Sequence, residues 1–195
     1  VSAQGLDAAN TAIRIDAGTD GQVYSQAGSG GSALSGSTSV GADGEAGLVK
    51  ITAADIALDG GTYASYTGQF GNAQVLLLAT GAAGGIALNG NAQVAAVANN
   101  GSGVFGQESC FSCGIVVEAG SGGIRGAVGG ATQFEANTVS FDAAGDITAT
   151  TETDFLSARS TGGNVNIQNV GGDLGNEELV LERRQAAGSF TLRTA

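Results

Sequence analysis

The sequence predicts an all-β chain, a stretch of right-handed parallel β-helix in which short strands stack from one turn of a solenoid onto the next. Three observations predict it: short runs of alternating apolar and polar residues, a loose internal repeat, and a composition with 35 Gly and no Pro. Alternation is the primary signal, because successive side chains of a strand point to opposite faces. Ile13 and Ile15 flank Arg14, Val49 and Ile51 flank Lys50, and Val139 and Phe141 flank Ser140. The pattern returns in Ile147-Thr148-Ala149, Val165-Asn166-Ile167, Leu179-Val180-Leu181 and Phe190-Thr191-Leu192. Most of these runs are bounded by Gly, Asn, Asp or Ser, as half-buried strands are. No segment sustains a 3.6-residue period with helix caps.

The repeat is clearest where Ile56-Ala57-Leu58-Asp59-Gly60 reappears as Ile86-Ala87-Leu88-Asn89-Gly90. A small-residue strand follows each copy, Tyr63-Ala64-Ser65 and then Gln93-Val94-Ala95-Ala96. Upstream, Leu48-Val49-Lys50-Ile51 corresponds to Val75-Leu76-Leu77-Leu78, and Val139, Val165 and Phe190 open similar strands further on. A loose period of roughly 20–30 residues lies in the range of solenoids. Ile51 is followed so closely by Ile56, and Phe141 by Ile147, that no helical crossover fits between them. A β-helix needs only a corner there, since its parallel pairs form between successive turns. A β-sandwich asks instead for hairpins joining longer strands. The expected inward residues are Val49, Ile51, Ile56, Leu58, Leu76, Leu78, Ile86, Leu88, Val139, Phe141, Ile147, Val165 and Ile167. Strict alternation cannot bury all of Val75-Leu76-Leu77-Leu78 or of Ile115-Val116-Val117, so some of these apolar side chains must face outward.

Composition agrees with this reading. The hydrophobic fraction of 42% is too high for disorder, and glycine without a Gly-X-Y period is not collagen. Proline would remove a donor from a parallel ladder, and its absence fits. The 195 residues are read as one β-helix segment, 1–195, with an irregular Gly/Ser-rich part at 26–47 and a loop leaving the coil at 97–113. A net charge of −11 opposes binding to nucleic acid or anionic membranes. No apolar run has the length of a membrane span. The start at Val1 without Met suggests a processed or cut chain.

The segments Gly44-Glu45-Ala46-Gly47-Leu48-Val49-Lys50-Ile51-Thr52-Ala53 and Ile56-Ala57-Leu58-Asp59-Gly60-Gly61 resemble haemagglutinin-type repeats of filamentous-haemagglutinin-like exoproteins. Gly145-Asp146-Ile147-Thr148-Ala149-Thr150 and Gly163-Asn164-Val165-Asn166-Ile167 are similar to them too. The resemblance covers about residues 44–96 and 137–194. It implies a bacterial adhesin that leaves the cell by two-partner secretion and folds as a long right-handed β-helix. The Asn-Pro motifs of that family's secretion domain are missing from a chain without proline, so the resemblance points to a central piece of the shaft.

Candidate sites are few. Cys110 and Cys113 form a Cys-x-x-Cys pair. A redox motif of this kind precedes a helix in an α/β context, and a zinc site needs further ligands that a chain with two Cys and no His does not supply. A structural disulfide is favoured over free thiols or chemistry, and suits an oxidising, secreted or cell-surface location. Glycoside hydrolysis would need paired carboxylates, for which Asp142 with Asp146, or Asp16 with Asp20, are the candidates. Asp142 and Asp146 sit at a strand end and the next turn, ordinary corner positions for Asp. Asp16, Asp20, Asp43 and Glu45 are too scattered to define a calcium site. Thr148, Thr150, Thr151 and Thr153 fall in one stretch without Thr-x-Thr counterparts a turn away, which opposes an ice-binding face. Glu177, Glu178, Glu182, Arg183 and Arg184 read as a solvated face.

The expectation is therefore a structural shaft or spacer in a secreted surface adhesin, not an enzyme, with no cofactor and no metal. Its expected partners are end-to-end neighbouring segments or subunits, with a host-cell or matrix ligand for exposed loops. A carbohydrate-active β-helix or a loop-mediated binding module is the alternative. At least one end of the stack is expected to be uncovered, since neither Val1–Leu6 nor Phe190–Ala195 reads as a cap.

Overall fold

The computed structural model describes residues 2–4, 11–16, 22–26, 32–37, 46–59, 62–67, 72–98, 113–171 and 179–195. Their regular structure is entirely β. The strands are β1 (Ser2–Gln4), β2 (Thr11–Asp16), β3 (Gln22–Gln26), β4 (Ser32–Ser37), β5 (Ala46–Ala53), β6 (Asp55–Asp59) and β7 (Thr62–Thr67). There follow β8 (Asn72–Ala79), β9 (Gly85–Asn89), β10 (Gln93–Ala98), β11 (Gly114–Ala119), β12 (Gly123–Arg125) and β13 (Phe134–Ala136). The chain continues through β14 (Thr138–Ala143), β15 (Ile147–Glu152), β16 (Phe155–Ser160), β17 (Val165–Asn169), β18 (Val180–Gln185) and β19 (Phe190–Thr194). Every pairing among them is parallel, in one sheet of twelve strands and one of seven.

From β1 through β12 each strand pairs with the strand three elements later, so three stacks advance together, one strand of each per level. The first stack is β2-β5-β8-β11-β14-β16-β18, the second begins β3-β6-β9-β12, and the third runs β1-β4-β7-β10-β13. β15 ends the separation of the last two. Its Ile147 and Thr148 pair with β12, and its Thr151 and Glu152 pair with β13. From β14 onward a level has two strands, and only 17 residues separate Thr138 from its partner Phe155. Opposite β15, the chain needs nine steps from Arg125 to Phe134 where β15 needs three from Thr148 to Thr151. The six surplus residues leave the sheet as a short excursion. It is tied back by Gly126 N–H to Thr148 O, 2.8 Å, and by Gln133 N–H to Thr150 O, 3.0 Å.

The core consists of rows of like residues one level apart. In the first stack Val49, Val75, Ile115, Val139 and Leu156 form one such row, and Ile51, Leu77, Val117, Phe141 and Ala158 the next; all are buried. In the second, Ile56, Ile86, Ile124, Ile147 and Val165 align. Branched aliphatic side chains suit such rows because neighbouring strands lie about 4.8 Å apart and each side chain meets its own kind without a polar group to satisfy. The inward row of the third stack changes character, from Tyr63 through Val94 and Phe134 to Thr151 and Asn169.

Three expectations need correction. Leu76 and Leu78 face outward and are half-buried, whereas Val75 and Leu77 are in the core. The register pairs Val49 with Val75, one residue off the alignment read from the sequence, and a one-residue slip exchanges the faces of a strand. Val139 and Val165 belong to different stacks: Val139 pairs with Leu156, and Val165 pairs with Ile147 and Phe190. The stretch 26–47, expected to form irregular turns with little strand, includes the six residues of β4, which pairs with β7 through a register shift between Ser32 and Leu34. Most of the loop expected at 97–113 lies outside the described residues. At the last level Leu181, Phe190 and Leu192 are only partly buried, while Leu156, Val165 and Ile167 beneath them are fully covered. The side chains of the first level lie outside the described residues.

Candidate functional site

The corner ahead of the first stack holds the cysteine. Cys113, Asn137 and Asp154 stand one residue ahead of the register-matched Gly114, Thr138 and Phe155, and all three are buried. Cys113 is disulfide-bonded, and no free cysteine occurs among the described residues. Cys110 lies outside them. One level on, the same corner is closed by hydrogen bonds. Asn137 Nδ2 donates to Asp154 Oδ2 at 3.2 Å, and Thr153 Oγ1 donates to the Asn137 carbonyl at 2.9 Å. Asn169 completes the network. Its Oδ1 accepts from Thr151 Oγ1 at 2.8 Å and from Thr153 N–H at 3.2 Å, while its Nδ2 donates to the carbonyls of Thr153 and Gly171. Thr151 and Thr153 are thus buried and committed within the fold, as a water-facing array would not be.

The candidate carboxylates are drawn apart. Asp142 faces outward on β14 and pairs with Arg159 at 3.0 Å, whose Nε also donates to Gln185 one level further. Asp146 sits at the corner ahead of the second stack, where its Oδ1 accepts the Asn164 backbone N–H at 2.7 Å and the Asn164 side-chain amide at 3.2 Å. The same corner repeats the device: Asp55 Oδ1 accepts Gly85 N–H at 2.9 Å, and Asn164 Oδ1 accepts Ser189 N–H at 2.9 Å. Each side chain caps a backbone donor of the next level. The side chains of Asp16, Asp20, Asp43 and Glu45, and Glu177 with Glu178, lie outside the described residues. Among the described residues no three of Asp, Glu and Cys gather as a metal cluster.

A feature missed in the sequence is a groove of about 350 Å³ on the outer face of β15, β17 and β19. Asp146, Asn164 and Ser189 line one side, Thr148, Asn166 and Thr191 form the floor, and Arg193 stands opposite. Ile147 is the one apolar residue of the lining, and its side chain belongs to the core. Beside the floor, the excursion after β12 folds over the sheet, its Ala127 carbonyl accepting from Thr150 Oγ1 at 2.9 Å. Some of the lining is already engaged: Thr148 Oγ1 donates to the Gly126 carbonyl at 3.1 Å, and Ser189 Oγ to Asn164 Oδ1 at 3.0 Å. Asn166 differs. Its Oδ1 is fully buried with no donor, and among the described residues its side chain, the Thr191 hydroxyl and the Arg193 guanidinium have no hydrogen-bond partner. The signal available in the sequence was the outward row Thr148, Asn166 and Thr191, legible only once the register was known.

No protein-family model, no curated protein and no solved structure matches this chain.

Proposed function

We propose that the chain is a segment of right-handed parallel β-helix that serves as a rigid shaft or spacer in a secreted bacterial surface adhesin. The observation that carries this reading is the continuity of the parallel ladder. The same inward row runs unbroken from Val49 through Val75, Ile115 and Val139 to Leu156, and the corner ahead of the second stack repeats its side-chain cap in the Asp55–Gly85, Asp146–Asn164 and Asn164–Ser189 bonds. Such a stack is stabilised by nearest-neighbour contacts, so its length can change without redesign of the core. The half-buried Leu181 and Phe190 at the last level fit end-to-end addition of a neighbouring segment or subunit, because an open parallel edge offers unpaired backbone groups to a further strand. A disulfide at Cys113 fits an oxidising location.

The non-catalytic reading rests on the structural employment of the acids. Asp142 neutralises Arg159, and Asp146 caps Asn164, so neither is held as a free partner for an acid–base pair. The test is twofold. Small-angle scattering and negative-stain microscopy should show a rod that lengthens by about 4.8 Å for each level inserted by duplicating a level's sequence. A particle that unfolds on such insertion, or release of reducing ends from a panel of polysaccharides, would replace the shaft with the carbohydrate-active alternative.

A further inference from the structure

We infer that the groove over β15, β17 and β19 is a binding site for a neutral oligosaccharide, with Asn166 and Thr191 as its central hydrogen-bonding residues. This goes beyond the shaft reading and does not depend on it.

The first ground is the condition of Asn166. A buried side-chain oxygen without a donor is rare and costs stability, and native structures retain such groups at places where something other than folding is served. Of the other polar side chains in the lining, Asp146 holds Asn164, Asn164 holds Ser189, and Thr148 holds Gly126; outside the lining, Gln133 Oε1 shares the condition of Asn166. Asn166 and Thr191 are adjacent on paired strands, directly opposite in register, and neither side chain has a hydrogen-bond partner among the described residues.

The second ground is the chemistry of the lining. Its groups are an amide, two hydroxyls of Thr148 and Thr191, the second oxygen of Asp146 and the guanidinium of Arg193. Together they present donors and acceptors interleaved, with one charge of each sign. Sugar hydroxyls, which donate and accept at once, match such a set; an apolar ligand finds no wall here. A peptide strand would pair along the free edge of β19 and not over the face, whereas β17, under Asn166 at the centre of the floor, is already paired on both sides. A polyanion is disfavoured by the net charge of −11 and by the single guanidinium in the lining. The floor residues repeat at the strand spacing of about 4.8 Å, so a chain of hydroxyl-bearing rings lying along the stack meets equivalent groups at each level.

The experiment is an NMR titration of the whole ¹⁵N-labelled chain with maltotriose, mannotriose and chitotriose, and with trigalacturonate as the acidic comparison. The side-chain amide of Asn166 and the backbone amides of Thr191 and Ser189 should shift with at least one neutral trimer. Those shifts should vanish in both Asn166→Ala and Thr191→Val, while the urea midpoint of each variant stays at or above that of the parent. Gln185→Ala, on the first stack, should bind as the parent does. The inference is overturned if no neutral trimer moves these resonances up to its solubility limit, if the shifts persist in either variant, or if only trigalacturonate produces them. Loss of fold in one variant leaves the other, and the parent titration, to decide.

Discussion

Asp146 Oδ1 accepts the backbone N–H of Asn164 at 2.7 Å, so that a side chain of one level closes the corner of the next. Asn164 repeats the act on Ser189, and Asp55 performs it on Gly85. Asn164 and Ser189 lie just ahead of their strands and Gly85 opens β9, and an uncapped N–H at a turn is the kind of group a short polar side chain satisfies best. The ladder therefore has a direction: acceptors reach toward the C-terminal end of the stack.

This sets apart two aspartates four residues from one another. Asp146→Ala should lower stability by about 1 kcal/mol, the usual net value of such a bond, and Asn164→Ala by a similar amount. Asp142→Ala removes an ion pair whose two side chains are 33% and 41% exposed, and should change stability by less than about 0.5 kcal/mol. Urea denaturation of the three variants checks the ranking. Equal losses at Asp142 and Asp146 would mean that the corner bond contributes nothing beyond surface charge.

Asn169 should matter more than either. It satisfies four groups in a buried corner, two as acceptor and two as donor. Replacing it with Ala removes four hydrogen bonds from a buried corner, where Thr153 N–H keeps only its bond to the Gly171 carbonyl, and should cost on the order of 3 kcal/mol. Asn166→Ala, by contrast, removes an acceptor that has no donor and should be neutral or mildly stabilising. Thermal and urea unfolding of the pair read the difference, and a larger loss at Asn166 would reverse the assignment of the two asparagines.

The face assignment of β8 is tested by two neighbouring leucines. Leu77→Ala empties a fully buried position and should cost about 2–5 kcal/mol. Leu76→Ala, on the half-buried outer face, should cost less than about 1 kcal/mol. The opposite order would show that the register between β5 and β8 is shifted by one residue.

For the cysteines the expected bridge joins Cys110 to Cys113. Thiol titration of the unfolded, unreduced chain should find no free thiol. Because the loop it closes is so short, chain entropy assigns the bridge about 2 kcal/mol at most, and reduction should leave the fold in place. Two titratable thiols per chain would reject the bridge.

How much of this was legible in the sequence differs from strand to strand. The alternation of Val49 and Ile51 about Lys50, or of Val165 and Ile167 about Asn166, names both the strand and its buried face, since a polar residue between two apolar ones leaves one choice. Val75-Leu76-Leu77-Leu78 carries no such mark. Its face was decided by pairing with β5, where Val75 meets Val49 and Leu77 meets Ile51. The corner roles of Asp55 and Asp146 were legible as turn chemistry, but their acceptance of a donor 30 or 18 residues away was not.

By itself, then, the sequence determined the class of the structure: short strands from alternation, tight corners from Gly, Asn and Asp, and parallel pairing across levels from the repeat. These follow from local rules, because a side chain's face and a turn's backbone depend on immediate neighbours. Only the tertiary structure decided which strands meet. It placed β15 across two stacks, pushed the six surplus residues after β12 out of the sheet, and brought Asp146, Asn166, Thr191 and Arg193 from three strand levels to one groove. The physical reason is register. A parallel ladder fixes residues many positions apart against each other, and the loops between them set that offset by their length, which no pattern within a single strand records.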